Sequence, residues 1–369
     1  MYFSTYILGK GTPAIGDKNS VVDGQTPAQG ASMLTYSDEN GKWETTEQYN
    51  VALDWAMLRN RLTGTIDLFR RDTKKMFLTI DAPAYAGNRF PARVNVGTVR
   101  NDGLELTLNY LNTVGKVDFS VGGNVSFIKN ELVGLNGGEP VFDYTNHTIS
   151  DKGLALFTFF GYEYLGLYQT QDEIDKYLYD TASGTYQVGD AKYKDENGDG
   201  KINDEDRMPL GNPFPWLSYG LNANVAYAGF DLQCLLQGVY GNKIYNALRE
   251  KLEGPGNETI MSTDMRNCWT SSNPDGVIPN PRNSVNFFAS SRFIENGAYL
   301  RLKNLQLGYT LPKALTKKVS IDRMRLYASV SNLFTLTKYK GYDPEVGSGT
   351  DFGNYPQART FMFGVNLDF

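Results

Sequence analysis

The sequence predicts an all-β chain that forms part of a transmembrane antiparallel β-barrel. Three observations carry that expectation: apolar and polar residues alternate at period two in stretch after stretch, the stretches are long, and the connections between them are by turns very short and long.

Composition sets the outer bounds. The 369 residues carry a net charge of -5 and no cluster of Lys or Arg, which argues against a nucleic-acid partner, because neutralising phosphates needs a basic face. A single histidine, His147, stands among scattered carboxylates, so neither a catalytic zinc nor a Ser-His-Asp centre is expected. His147 is read as an ordinary polar loop residue, no catalytic residue is assigned, and the chain is not read as an enzyme. Cys234 falls on the apolar face of a strand-like run and Cys268 in a long polar segment, so the two thiols are expected to stay unpaired. No run of about 18 apolar residues exists, which excludes a membrane-spanning helix. "YFSTYILG" after Met1 lacks the charged n-region, apolar h-region and cleavage site of an export signal.

The strands can be justified in chain order. Leu104, Leu106, Leu108 and Tyr110 share one face against Glu105, Thr107 and Asn109. Val117, Phe119, Val121, Val125 and Phe127 oppose Asp118, Ser120, Asn124 and Ser126, and Tyr219, Leu221, Ala223, Val225 and Tyr227 oppose Gly220, Asn222 and Asn224. In "YLRLKNLQLGYTLP" the apolar phase moves from even (Leu300, Leu302) to odd (Leu305, Leu307, Tyr309), and one inserted residue near Lys303, a β-bulge, accounts for the shift. The last stretch, "RTFMFGVNLDF", places Phe361, Phe363, Val365, Leu367 and Phe369 on one face.

A soluble β-sandwich also alternates. Its strands are commonly about five or six residues long, whereas these run for about nine to eleven or more, the length that crosses a bilayer at a tilt. Several also end in aromatics beside a short turn (Tyr110, Tyr227 with Phe230, Tyr309, Phe369), as interfacial girdles do. The connections Arg59–Arg61, Asn112–Lys116 and Ala228–Gly229 read as tight turns. Long polar segments run from Phe77 to Arg93, Glu131 to about Gly153, Gly241 to Ser291 and Lys338 to Tyr355. A compact soluble domain seldom holds so many loops longer than about 15 residues. About ten strands are expected, and what the apolar faces meet separates the two architectures.

Six blocks in order, "NVGTVRNDGLEL", "GDAKYKDENGDGKI", "GNPFPWLSYGLN", "FDLQCLLQGVYGNKIYN", "YLRLKNLQLGYTLP" and "SNLFTLTKYKGYDPE", resemble the C-terminal barrel half of SusC/RagA-type TonB-linked outer-membrane transporters. The resemblance runs from about Trp43 to Phe369. It implies residues 1–369 as the C-terminal part of a 22-stranded barrel whose plug domain is absent here, which reads as a C-terminal fragment or a split frame. It further implies a multi-pass place in the outer membrane of a Gram-negative bacterium, in contact with its lipid, and import of oligosaccharides or peptides. The partners implied are a SusD-like surface lipoprotein, the TonB complex through the missing N-terminal part, and the barrel assembly machinery. A soluble calcium-stabilised β-sandwich that binds or degrades glycans is the alternative from another class. A siderophore or vitamin receptor of the wider TonB-dependent class is a third reading.

Within the segment 189–206, "DENGDGKINDED" has the oxygen spacing of a calcium loop. Asp195, Asn197 and Asp199 offer side-chain oxygens, Gly200 the sharp turn, Lys201 its carbonyl, and Asp206 closes the loop with a shorter reach than the usual glutamate. "QTQDEIDKYL" before it suits a short helix, and no exiting helix follows. The competing reading is an Asx-rich turn held by its own side chains; bound calcium would stiffen a surface loop. Trp216, Trp269, Tyr240 and Tyr245 are candidates for stacking on sugar rings, against girdle or loop packing as the plainer role. Phe369, closing an unbroken apolar row, resembles the C-terminal signal that engages barrel assembly.

Overall fold

The computed structural model describes residues 5–8, 31–35, 41–80, 92–135, 139–177, 186–254, 261–317 and 320–369. In chain order a small hairpin of β1 (Thr5–Leu8) and β2 (Ala31–Thr35) comes first, then four long strands, β3 (Thr45–Met57), β4 (Leu62–Ile80), β5 (Ala92–Val114) and β6 (Val117–Leu135). A first insertion carries β7 (Val141–Asp143), β8 (Thr148–Ser150), β9 (Thr158–Gly161), β10 (Tyr164–Leu167), α1 (Gln171–Tyr177), β11 (Ala191–Tyr193) and β12 (Met208–Gly211). The wall resumes with β13 (Leu217–Tyr227) and β14 (Phe230–Tyr240). A second insertion follows with β15 (Lys243–Tyr245), α2 (Ala247–Glu253) and β16 (Ile294–Asn296). Then come β17 (Tyr299–Thr310), α3 (Lys313–Thr316), β18 (Arg323–Ser331), the short β19 (Thr335–Thr337) and β20 (Thr360–Asp368).

The long strands form one antiparallel sheet in the order β20-β18-β17-β14-β13-β6-β5-β4-β3, with β19 continuing beside β17. Neighbours in sequence are neighbours in space because the connections on one side are tight. Tyr227 pairs with Phe230 across Ala228 and Gly229, both at positive φ (49° and 87°), the conformation of a two-residue hairpin whose twist matches its strands. The bulge stands where the phase shift predicts it: Leu235 faces Asn304 and Leu236 faces Leu302, so Lys303 is skipped. A close aromatic approach explains a glycine on the wall: a Cβ at Gly238 would fall 2.5 Å from the Tyr219 ring.

Among the described residues no second sheet covers this one, which speaks against the sandwich alternative. The buried clusters lie at the long-loop end. Leu78, Val99, Leu132 and Leu156 form one; Phe159, Tyr245, Ala247 and Phe293 another; Tyr162, Ala191 and Tyr193 a third. The long polar segments thus need correction. β4 and β5 run into the Phe77–Arg93 segment as far as Ile80 and from Ala92, with residues 81–91 outside the described ones, and β6 extends to Leu135.

The two insertions fold together as a cap. Asp190 (2% exposed) accepts from Asn283 Nδ2 (2.6 Å) and Asn286 Nδ2 (2.8 Å), Asn286 Oδ1 accepts the Ala191 N–H (2.6 Å), and Tyr193 donates to the Val285 carbonyl (2.8 Å). These buried polar groups satisfy one another across the seam, which fixes one insertion on the other.

Candidate functional site

Residues directly opposite in a sheet share a face, so the rows of the wall can be read from its register. Leu53, Ile66, Leu106, Val125 and Tyr219 line up across five strands; Val225, Leu232, Leu307, Ala328 and Phe363 line up across β13 and the four strands beyond it. On the opposite face Asp67, Glu105, Ser126 and Ser218 make a polar row. The apolar face is bare: Leu232 is 41%, Leu307 52% and Phe363 83% exposed. A sheet this large with one open apolar face fits a lipid surface.

The height of the face fits as well. From Tyr227 to Leu217 the eleven residues of β13, at roughly 3.4 Å each and a tilt of about 40°, span an apolar band about 25 Å tall. Aromatics border the turn side, where Phe230 meets Tyr309 (ring centroids 4.5 Å apart) and Tyr110 meets Phe119 (5.8 Å). On the loop side the same outward row changes character along β4, from Leu68 to Arg70, Asp72 and Lys74. Arg70 pairs with Asp102 (2.7 Å), Arg100 with Asp72 (2.8 Å) and Lys74 with Glu47 (2.7 Å). The Arg70 and Lys74 pairs are exposed and the Arg100–Asp72 pair is partly buried, and water screens most of the attraction in pairs of this kind, so they add little stability. Their position marks where the strands leave the apolar band.

The predicted stacking residues separate into three environments. Trp216 and Tyr240 meet at right angles (5.6 Å, 89°), Trp216 stacks on Phe127 (6.1 Å), and Tyr240 lies opposite Leu217 on the outward row. They form an aromatic corner at the loop-side edge of the band. Trp269 is half-buried against Gly189 (φ +90°), where a Cβ would come within 2.0 Å of its ring. Tyr245 is 1% exposed and donates to Glu250 Oε2 (2.9 Å), so it is core and has no open face for a sugar. Sequence pattern could not separate these, because three are aromatics at or beside strand ends and Trp269 lies in a long polar segment, and neither place fixes what packs against the ring.

His147 lies on a loop at φ 54° with its ring 4.8 Å from that of Tyr245. Burial, with Arg207 adding to it, holds its pKa below the ordinary histidine value, so it is neutral at pH 7. The two cysteines are unpaired, as expected.

The Asp195–Asp206 loop follows α1, the short helix expected there, and ends in a 3₁₀ turn, Asp204–Asp206. Asp195 accepts the N–H groups of Gly198 (2.6 Å) and Gly200 (2.7 Å), Asn197 Oδ1 that of Asp199 (3.0 Å), and Asp199 Oδ1 that of Lys201 (2.9 Å). Asp206, 1% exposed, accepts from Glu196 (2.9 Å) and Asn203 (2.8 Å). Gly200 stands at φ 76°, the turn the spacing requires. Among the described residues no three His, Cys, Asp or Glu side chains gather as a metal-binding group. Each N–H bond uses one of a carboxylate's roughly four lone-pair directions.

Phe369 is 84% exposed and continues the outward row of β20, one residue past the pairing of Asp368 with Arg323. Arg301 was missed by the sequence reading. It is 1% exposed and ties the segment after β19 to the wall through Asp343 and Glu345. Its signal was present, since "LRLK" and "YDPE" both lie in the six blocks.

The family described as TonB dependent receptor-like, beta-barrel matches residues 4–249. A TonB-dependent receptor of Formosa agariphila is 33% identical over 94% of this chain and 36% of its own length. The TonB-dependent receptor SusC of Bacteroides thetaiotaomicron is 30% identical over 90% of this chain and 32% of its own. The chain thus spans about a third of the length of these curated relatives. The structure of the RagAB peptide transporter superposes with a TM-score of 0.79 at 23% identity, covering 100% of this chain and 39% of that one, a likeness of fold.

Proposed function

Because the chain belongs to the TonB-dependent receptor-like β-barrel family, in its SusC/RagA form, we propose that it supplies wall and extracellular cap to an outer-membrane importer of oligosaccharides or peptides. The observation that carries this reading is the bare apolar face, about 25 Å tall, backed by a polar one. Lipid meets the first and the transport path the second. Among the described residues the outer edges of β3 and β20 have no neighbour, and hydrocarbon cannot satisfy their backbone groups, so further strands complete the ring. The interlocked insertions form the surface on which a SusD-like lipoprotein would sit, TonB would drive transport from the other side of the membrane, and Phe369 would serve the assembly machinery. The chain carries no chemistry of its own in this reading. One structural calcium ion is proposed for Asp195, Asn197, Asp199, the Lys201 carbonyl and Asp206, supported by their spacing and by Gly200.

Deleting the gene from its Gram-negative host tests the transport reading. Growth on one class of oligosaccharide or peptide should stop while growth on the corresponding monomers continues. Unchanged growth on every oligomer the parent strain uses would overturn it.

A further inference from the structure

Between the β7–β8 hairpin of the first insertion and residues 287–289 of the second lies a cavity of about 250 Å³. That is room for one pyranose ring and little more. Its walls are mainly aromatic. Phe142 stacks on Tyr144 (6.1 Å, 24°) and packs on Phe160 (5.6 Å), and Tyr162 lies 5.3 Å from Phe288. Tyr144 is 65% exposed although its neighbours are packed rings, so one aromatic face stands open at the cavity's edge.

Polar side chains line the same space, Asp143, His147, Thr148 and Arg207 among them. Arg207 lies 5.5 Å over the Tyr162 ring and pairs with Asp204 (2.7 Å). Asp143 accepts from the N–H groups of Thr145 (2.9 Å) and Asn146 (3.1 Å), which fixes the carboxylate. His147, neutral at pH 7, can both donate and accept.

We propose that this cavity is a subsite for one ring of a neutral oligosaccharide, a proposal that rests on the import reading and narrows its substrate class. A pyranose presents an apolar C–H face bordered by hydroxyls. The rings take the first; the mixed donors and acceptors of Arg207, His147 and Asp143 take the second. Neutrality follows from charge. Arg207 is the one Lys or Arg among the described lining residues, and Asp204 and Asp143 offset it, so a uronate or sulfated ring would meet carboxylates with no spare cation. A peptide fits less well, because its main-chain amides would be set against aromatic carbon, and an amide buried without a partner is unfavourable.

The test is calorimetric titration of the intact protein in detergent with maltohexaose, cellohexaose, mannohexaose, hexagalacturonate and tetra-alanine. At least one neutral hexasaccharide should bind. Tyr144→Ala should raise its Kd about tenfold, the value of one aromatic contact, while Tyr144→Phe keeps the ring and stays within about twofold. Tyr144 is exposed, so its loss leaves the fold intact. Equal binding of the neutral sugar by wild type and Tyr144→Ala overturns the subsite and leaves glycan import standing. Binding of hexagalacturonate alone overturns its neutrality. No binding by any neutral hexasaccharide overturns the proposal, and binding of tetra-alanine in their place moves the import reading to peptides.

Discussion

Arg301 on β17 donates Nη2 to Asp343 Oδ1 at 2.6 Å, and it is 1% exposed where it does so. Its other nitrogens are committed as well, Nη1 to Glu345 Oε2 (2.7 Å) and Nε to Thr335 Oγ1 (2.8 Å). Asp343 also accepts the N–H groups of Glu345 and Gln357, both at 2.9 Å. One wall residue thereby anchors the connection between β19 and β20 at Asp343 and Glu345, while the backbone bonds that Tyr245 makes with Gly349 and Asp351 hold its middle.

Removing that residue should loosen the connection around Asp343 and spare the wall. Arg301→Met leaves Asp343 buried without its partner, a loss of about 3–5 kcal/mol. Hydrogen exchange at Glu345 and Gln357, whose N–H groups Asp343 holds, should accelerate by two orders of magnitude or more, while β13 and β14 keep wild-type protection. Arg301→Lys keeps the charge but not the planar fork and should fall between.

Acid should loosen the same connection. Burial works to raise the Asp343 pKa, but the Gln357 and Glu345 N–H groups and the Arg301 guanidinium outweigh it, and the carboxyl is held below the ordinary carboxylate range. A lowered folded-state value means the stabilisation is complete above the unfolded pKa, about 3.9. It is lost as pH falls through the folded one. Exchange protection of Glu345 and Gln357 relative to β13 should be constant from pH 7 to about 5 and decline below about 4. A decline centred near pH 6 would contradict this origin.

The Asp195–Asp206 loop gives a calcium prediction with a defined variant. Millimolar Ca²⁺ should protect the loop from proteolysis in the intact protein, with Mg²⁺ ineffective, and Asp199→Ala should remove the effect. Asp199 is exposed and accepts the Lys201 N–H, while Asp195 holds the N–H groups of Gly198 and Gly200, so the variant keeps the turn. Equal proteolysis with Ca²⁺ and with chelator would leave the loop as a turn closed by its own Asx bonds.

At the chain's end, deleting Phe369 should reduce outer-membrane insertion several-fold in the full-length protein, and Phe369→Tyr should be mild. Asp368→Asn, on the opposite row of β20, should change little. Surface levels measured by protease shaving distinguish these. Wild-type levels after the deletion would make Phe369 a packing residue only.

Much of the wall was legible because period two is imposed by the pleat itself: the phase shift around Lys303 gave the bulge to the residue, and Ala228–Gly229 gave its hairpin. The cap was not legible. Tyr245 looks like any strand-end aromatic until Phe159, Phe293 and His147 close around it, and those come from three separate segments. The Asp190–Asn286 and Arg301–Asp343 pairs span 96 and 42 residues. Local pattern carries no record of contacts at that distance, although the motif blocks held both ends of the second.

The central claim is that the apolar rows face lipid and the opposite rows an aqueous interior. Leu221 and Asn224 sit three residues apart on β13 with opposite outlooks, Leu221 43% exposed on the apolar row and Asn224 donating to Ser120 Oγ (3.1 Å) on the polar one. Nitroxide labels placed through Leu221→Cys and Asn224→Cys, in the intact protein in liposomes with Cys234→Ala and Cys268→Ala, report this by collision with dissolved oxygen or with an aqueous nickel chelate. The account predicts that the Leu221 label collides with oxygen and is shielded from nickel, with the reverse at Asn224. Equal nickel access at both positions would contradict it.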